Sequence, residues 1–364
     1  MREATSQTRA EAERLFAALL ATGAQPVETD ILQPAATLLD LYGEDIRARA
    51  YVTADPLAGE MMLRPDFTVP VVQAHMSGGA EPARYAYLGK VFRRQEHPEA
   101  RAREYLQVGY EVFDRAAPEA DAEVFALFSG LLADLRLQPL TGDIGILMAA
   151  VRGLSTSAAR KAALLRHLWR PARFRRLLDQ FAGRAPVPGS RQRLLARLGG
   201  APVDALIEGA GPVIGARQHA EIAARVAVLL EEAEAPPIPA PEAALVYDLL
   251  ALHAPAGAAL AHLRGIVPLL PAIAPAVETF AARLAALAAR GIDAESLPFE
   301  ASHGRTTLEY YDGFVFSLLG PEGMPPVALG GRYDALTAAL GRGSSIPAVG
   351  AILRPELVAR LRAG

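Results

Sequence analysis

Five short segments carry residue types that could do chemistry. In Leu63-Arg64-Pro65-Asp66-Phe67-Thr68, Pro65 disfavours helix at Arg64, and Asp66 and Thr68 stand two apart. On extended backbone that spacing puts a carboxylate and a hydroxyl on one face, a pairing suited to an ammonium group. In Tyr85–Gln95, strand alternation puts Tyr85, Tyr87, Gly89, Val91 and Arg93 on one face, with Arg93 able to fork onto a carboxylate or phosphate. In Arg103–Phe113, Gln107, Gly109 and Glu111 share a face. Gly109 leaves room between the two polar residues, whose Cα atoms would stand about 13 Å apart at about 3.3 Å per residue. Tyr311 and Gly313 repeat this pattern of a polar tip beside a missing side chain, and Gly330-Gly331-Arg332-Tyr333-Asp334 reads as a strand, a tight turn and a helix start. Taken singly, each segment also has a bland reading: an Asx turn, an exposed strand-end Arg, a solvated sheet face. Neither glycine segment has the Lys-Ser/Thr pair of a phosphate-binding loop.

The elements that must position these residues follow from the apolar pattern. Helical spacing appears at residues 7–23, 31–46 and 118–136; strand-like alternation runs from about 50 to 115 and again over 298–318 and 325–330; helices are expected over 331–341 and 352–362. Residues 151–290, rich in Ala, Leu and Arg with Pro-rich breaks at 185–188 and 235–241, read as a mostly helical insertion. The expected architecture is therefore α+β: a core domain built from 1–150 and 291–364, holding an antiparallel sheet flanked by helices and split by the helical insertion.

Bulk properties narrow the chemistry. The 364 residues suit about two domains. A net charge of -3 argues against a generally basic nucleic-acid binder, and the lack of cysteine excludes disulfides, thiolate metal sites and thiol nucleophiles. No metal-ligand spacing links the seven histidines, so neither metal nor cofactor is expected, and no nucleophile–base pair stands out. The N-terminus lacks an apolar signal region, and no stretch of 18 or more apolar residues is free of charges and breakers. A cytoplasmic chain with no membrane span is expected. Residues 160–193 carry Arg160, Lys161, Arg166, Arg170, Arg173, Arg175, Arg176, Arg184, Arg191 and Arg193 against Asp179 alone. This stretch reads as a solvated helix face, or alternatively as a surface for tRNA or an acidic protein.

Together and in this order, the five segments resemble the core of the class II aminoacyl-tRNA synthetases, specifically the histidyl-tRNA synthetase family, from about residue 5 to 360. The first resembles its Arg-Pro-Glu-x-Thr segment, the second and third its motif 2 and the following strand. The fourth resembles its Leu-Asp-Tyr-Tyr loop, and the fifth its Gly-Gly-Arg-Tyr-Asp segment. The resemblance implies that Asp66, Thr68 and Gln107 hold a histidine α-amino group, that Glu111, Tyr311 and Tyr333 surround the imidazole, and that Arg93 reaches the carboxylate. The donor and acceptor types agree with those roles.

The sequence departs from the family where amino-acid activation is carried out. Thr306 stands for the Arg of the histidine loop, with Arg305 shifted to the other face of an expected strand. Leu357 falls at the Arg that ends motif 3, with Arg354 nearby. Loss of fixed cations removes stabilisation of charge developing at phosphate. Apart from these, Asp66 stands for Glu at the amino-group contact and shortens the carboxylate arm there. The chain stops at Gly364, so no anticodon-binding domain is expected. A histidine pocket without activation chemistry is similar to the synthetase-like regulatory subunits of ATP phosphoribosyltransferase. That resemblance implies a non-catalytic chain required for the first step of histidine biosynthesis. It further implies a short-form catalytic subunit as partner, L-histidine as feedback effector, and a homodimer within a hetero-oligomer. The same residues also allow an active histidine-activating enzyme, with Arg305 and Arg354 replacing the lost cations, or a synthetase-like tRNA- or protein-binding module.

Overall fold

The structure is a computed structural model that describes residues 6–42, 49–95, 102–211, 218–305, 311–341 and 343–363. The described residues form two compact units. The first comprises 1–146, 251–265 and 274–364, the second 147–250 and 266–273.

The first unit is organised by a nine-stranded sheet of β1 (Gln25–Pro26), β5 (Ala83–Phe92), β6 (Glu104–Phe113), β7 (Gln138–Asp143), β8 (His253–Pro255), β9 (Pro298–Glu300), β10 (Phe314–Leu319), β11 (Ala328–Arg332) and β12 (Ala348–Leu353). Their order across the sheet is β1-β5-β6-β12-β11-β10-β7-β9-β8. Pairing is antiparallel except where β1 joins β5 and β9 joins β7. A separate three-stranded sheet has β4 (Gly59–Leu63) between β2 (Leu32–Pro34) and β3 (Val52–Asp55).

Both faces of β6 are buried, and each has its own character. Leu106, Val108, Tyr110 and Val112 alternate with Gln107, Gly109 and Glu111, all buried. The apolar side of the sheet is covered by helices. The helix Ala117–Leu131 buries Ala120, Val124, Phe125 and Phe128 at helical spacing, opened by Pro118 where a proline costs no hydrogen bond. Phe125 meets Phe316 edge-on at 5.2 Å, an arrangement worth about 0.5–1.5 kcal/mol beyond burial. The helix Ala274–Ala289 packs on Ala117–Leu131. The stretch Pro271–Ala289 is long and apolar enough to cross a membrane by length and composition alone. Its helix nevertheless buries Arg283 against Asp121 and Asp143, both at 2.8 Å, as a core helix does.

Several expectations change. Residues 68–76 form a helix inside the region expected to be strand. Gly330 and Gly331 lie within β11, not in a turn, and neither has positive φ. A Cβ at Gly331 would stand 2.7 Å from the Phe314 carbonyl, so close approach is the reason for glycine there. Residues 348–353 are a strand, and the last helix starts at Pro355. The helices Ala256–Ile266 and Ala274–Ala289 fall mainly within the first unit, although their sequence reads as part of the insertion.

The second unit is helical. Ser157 caps the helix Ala158–Arg166 by accepting from the Arg160 N–H at 3.1 Å. Arg160 itself is buried. Its guanidinium donates to Glu232 at 3.0 Å and to the carbonyls of Pro236 and Ala235 at 2.7 and 3.1 Å, just where the helix His219–Glu234 ends. In the helix Pro171–Phe181, Phe174 and Leu178 are buried while Arg173, Arg175 and Arg176 are exposed. The pattern is that of an amphipathic helix with its arginines on the exposed face.

Candidate functional site

The face of the sheet away from the Ala117–Leu131 helix carries the polar residues. Glu111 lies opposite Tyr85 on β5 and Gly350 on β12, and Gly109 lies opposite Tyr87. The two glycines make the space. A Cβ at Gly350 would stand 1.5 Å from Glu111 Oε2, and one at Gly109 2.1 Å from Tyr87 Cζ. Glu111 can therefore lie across β12, and the Tyr87 ring can lie over β6.

Glu111 is 1% exposed and is met by hydroxyl groups. Thr68 Oγ1 donates to its Oε1 at 2.9 Å and Tyr87 OH donates to the same oxygen at 3.0 Å. Tyr333 OH donates to Oε2 at 2.5 Å. Burial pushes the Glu111 carboxyl up to about 7 despite these donors, and the charge of Asp66 adds to the push. The Tyr87 and Tyr333 hydroxyls are pushed well above the usual phenol range, first by burial and then by Glu111. The result is a buried acceptor held above the usual carboxylate range, ringed by hydroxyls that stay protonated.

Each donor arrives on a defined element. Thr68 opens the helix Thr68–Met76, and Phe67, before it, already has helical φ and ψ. Asp66 and Thr68 therefore do not share a face of an extended strand, as the sequence pattern alone suggests. The turn from β4 into the helix brings both to the sheet, and both are buried. Arg64 fixes that turn: its Nε donates to the Lys90 carbonyl at 2.9 Å, and its guanidinium lies 3.9 Å over the Phe67 ring. Phe67 in turn stacks on Tyr87 at 4.3 Å. Asp66 Oδ1 stands 3.5 Å from the Val69 N–H, at the outer limit of a hydrogen bond. Tyr333 immediately precedes the helix Asp334–Leu340. Tyr311 is buried, and its ring edge would be 2.8 Å from a Cβ at Gly331.

Five of the seven expected residues thus converge: Asp66, Thr68, Glu111, Tyr311 and Tyr333. Gln107 is buried on the same face of β6, two residues before Gly109 and opposite Gly89. Arg93 follows the end of β5, and its Nε donates to the Pro65 carbonyl at 2.8 Å, which places it beside Asp66 in the chain. Tyr87 shares the expected strand face with Tyr85 and Gly89 but is not among the seven residues the resemblance implies. The available signal was Gly109, whose missing side chain needs an occupant from a neighbouring strand.

The activation positions can be located in part. Thr306, with Leu308, Glu309 and Tyr310, lies outside the described residues. Arg305 is buried in a run of turns, 301–305, so strand alternation does not decide where it points. Arg354 donates through Nη1 to the Pro326 carbonyl at 2.7 Å, and Leu357 lies in the helix Pro355–Ala363. His303 Nε2 pairs with Ser317 Oγ at 3.0 Å, a structural contact with the neighbouring strand.

The mostly antiparallel sheet backed by helices is the fold of the class II aminoacyl-tRNA synthetase type. The histidyl-tRNA synthetase family matches residues 2–254 and 216–358. Among solved structures, an ATP phosphoribosyltransferase regulatory subunit/histidyl-tRNA synthetase from Bacillus halodurans superposes with a TM-score of 0.69 at 20% identity, covering 100% of this chain and 82% of that one. A histidyl-tRNA synthetase from Nostoc sp. gives 0.64 at 17% identity, covering 100% and 74%. Two curated relatives carry the name ATP phosphoribosyltransferase regulatory subunit. The one from Mesorhizobium japonicum is 34% identical over 95% of each chain, and one from Rhizobium etli is 33% identical over 90% of each. The chain belongs to the ATP phosphoribosyltransferase regulatory subunit family, on the histidyl-tRNA synthetase fold.

Proposed function

We propose that this chain is the non-catalytic, histidine-sensing subunit of ATP phosphoribosyltransferase. In this reading phosphoribosyl transfer resides in a separate short catalytic chain, and two copies of the present chain form a dimer within the larger assembly. L-histidine binds at Glu111. Asp66, Thr68 and Gln107 take its ammonium group, Arg93 its carboxylate, and Glu111, Tyr311 and Tyr333 its imidazole. The observation that carries the reading is Glu111 itself, a fully buried carboxylate whose named donors are side-chain hydroxyls. Such a group can exchange hydroxyl partners for a ligand N–H without leaving a buried cation unpaired. Sensing requires only that histidine bind two states of the assembly with different affinity.

Calorimetric titration of the purified chain with L-histidine, with ATP alone as control, tests this. Histidine binding without ATP binding is expected. An imidazole N–H donated to Glu111 favours the ionised carboxylate, while that carboxylate favours the protonated imidazole, so the two groups should titrate as a pair in the complex. Binding of both ligands followed by pyrophosphate exchange would instead establish an activating enzyme. Absence of histidine binding in the presence of the catalytic subunit would remove the sensor reading.

A further inference from the structure

The two tyrosines of the pocket arrive on separate segments, Tyr311 ahead of β10 and Tyr333 just after β11. One residue fastens those segments together. Asp312 Oδ1 accepts from the Asp334 N–H at 3.0 Å, and its Oδ2 accepts from the Ala335 N–H at 2.5 Å. The Asp312 N–H donates to the Arg332 carbonyl at 3.0 Å. These bonds are distributed on both sides of Tyr333.

The arrangement has a physical reason. The first N–H groups of a helix have no partner within it, and the usual solution is an oxygen-bearing side chain at the position before the helix. For the helix Asp334–Leu340 that position is Tyr333, which makes no cap and whose hydroxyl is on Glu111. Asp312 supplies the missing acceptor from the other tyrosine-bearing segment. Asp334 extends the tie to β12, accepting from the Ala348 N–H at 2.8 Å and from Arg332 Nη1 at 3.0 Å. Arg332 is anchored in turn on Asp121 through Nε at 3.0 Å and Nη2 at 2.6 Å.

We infer that Asp312 is a positioning residue for the ligand pocket: a clasp that holds Tyr311 and Tyr333 in fixed relation around Glu111 and so sets the geometry offered to a ligand ring N–H. The inference rests on the reading of this pocket as a histidine site. Its test uses the full chain with Asp312→Ala, Asp312→Asn, Tyr333→Phe and the corresponding double variants. Asp312→Ala is expected to raise the Kd for L-histidine about tenfold, and Asp312→Asn, which keeps one acceptor oxygen, by less. In the Tyr333→Phe background the further loss should shrink to about twofold or less, because the clasp acts through that tyrosine. Equal losses in both backgrounds would overturn the clasp and leave Asp312 a stability residue only. A second readout does not need the ligand. The carboxyl carbon resonance of Glu111 should titrate with a higher midpoint in the Asp312 variants, since a loosened Tyr333 donor no longer favours the ionised form. An unmoved midpoint in a folded variant counts against the proposal. If the unaltered chain binds no histidine, the pocket reading fails, and the midpoint alone decides the clasp. If Asp312→Ala does not fold, Asp312→Asn carries both measurements.

Discussion

Glu111 and Asp121 are both buried carboxylates of the first unit, at 1% and 0% exposure, yet they keep opposite company. Asp121, on the helix side of the sheet, is gripped by two guanidinium groups, Arg283 at 2.8 Å and Arg332 at 2.6 Å. Glu111, on the other side, is held by three hydroxyls. A carboxylate locked between cations cannot exchange partners cheaply, because each departure leaves a buried charge unpaired. A carboxylate among neutral donors can be protonated or turned to a new donor at the cost of ordinary hydrogen bonds. Equal burial therefore serves two purposes: a fastener on one side of the sheet and an adjustable acceptor on the other.

Loss of Arg283 should have the largest effect. Arg283→Ala leaves Asp121 and Asp143 without a shared cation and is expected to cost about 3–5 kcal/mol in chemical denaturation. A loss below about 1 kcal/mol would mean that Asp121 is not a fastener. The next effect is the pH dependence of Glu111. Its folded pKa of about 7 stands above the ordinary 4.5, so the folded chain holds the proton more tightly than the unfolded chain does. Stability contributed by this group is thus full below pH 4.5 and falls as pH rises through about 7. The loss is on the order of 3 kcal/mol. Asp312, also pushed up to about 7 by burial and by Asp334, acts in the same direction. Denaturation midpoints measured between pH 5 and 8 should decline, and Glu111→Gln should flatten part of that slope. A stability that rises over this range would place Glu111 with Asp121 after all.

Ligand affinity gives a smaller effect. Glu111→Ala should weaken L-histidine binding by about 1.5–3 kcal/mol, the value of a hydrogen bond to a charged group. Unchanged affinity by calorimetry would move the site away from this face. The smallest change sharpens the geometry: Gly109→Ala pushes a methyl into the Tyr87 ring and should cost about 1–3 kcal/mol. The residual affinity of that variant reports how far Glu111 depends on Tyr87.

Part of this site was open to inspection in the chain itself. Gln107, Gly109 and Glu111 sit on one face because side chains alternate along any strand, and β6 is a strand. Asp66 and Thr68 converge with them for a reason the local pattern did not contain. Strand alternation holds only for extended backbone, whereas a helix begins at Thr68 and Arg64 anchors the turn before it. Tyr87 was passed over because a tyrosine on a strand reads as packing until the register sets it opposite Gly109.

The sequence alone determined the residue types, the order of the segments and the strand faces, all properties of neighbouring residues along one chain. By resemblance, it also puts Thr306 and Leu357 where the histidyl-tRNA synthetase family carries arginine. Only the tertiary structure decided which hydroxyls meet Glu111 and which arginines meet Asp121. Those partners stand far apart in the chain: Tyr333 is 222 residues from Glu111, and Arg332 is 211 from Asp121. Strand order and register across the sheet select them, and no local periodicity encodes that pairing.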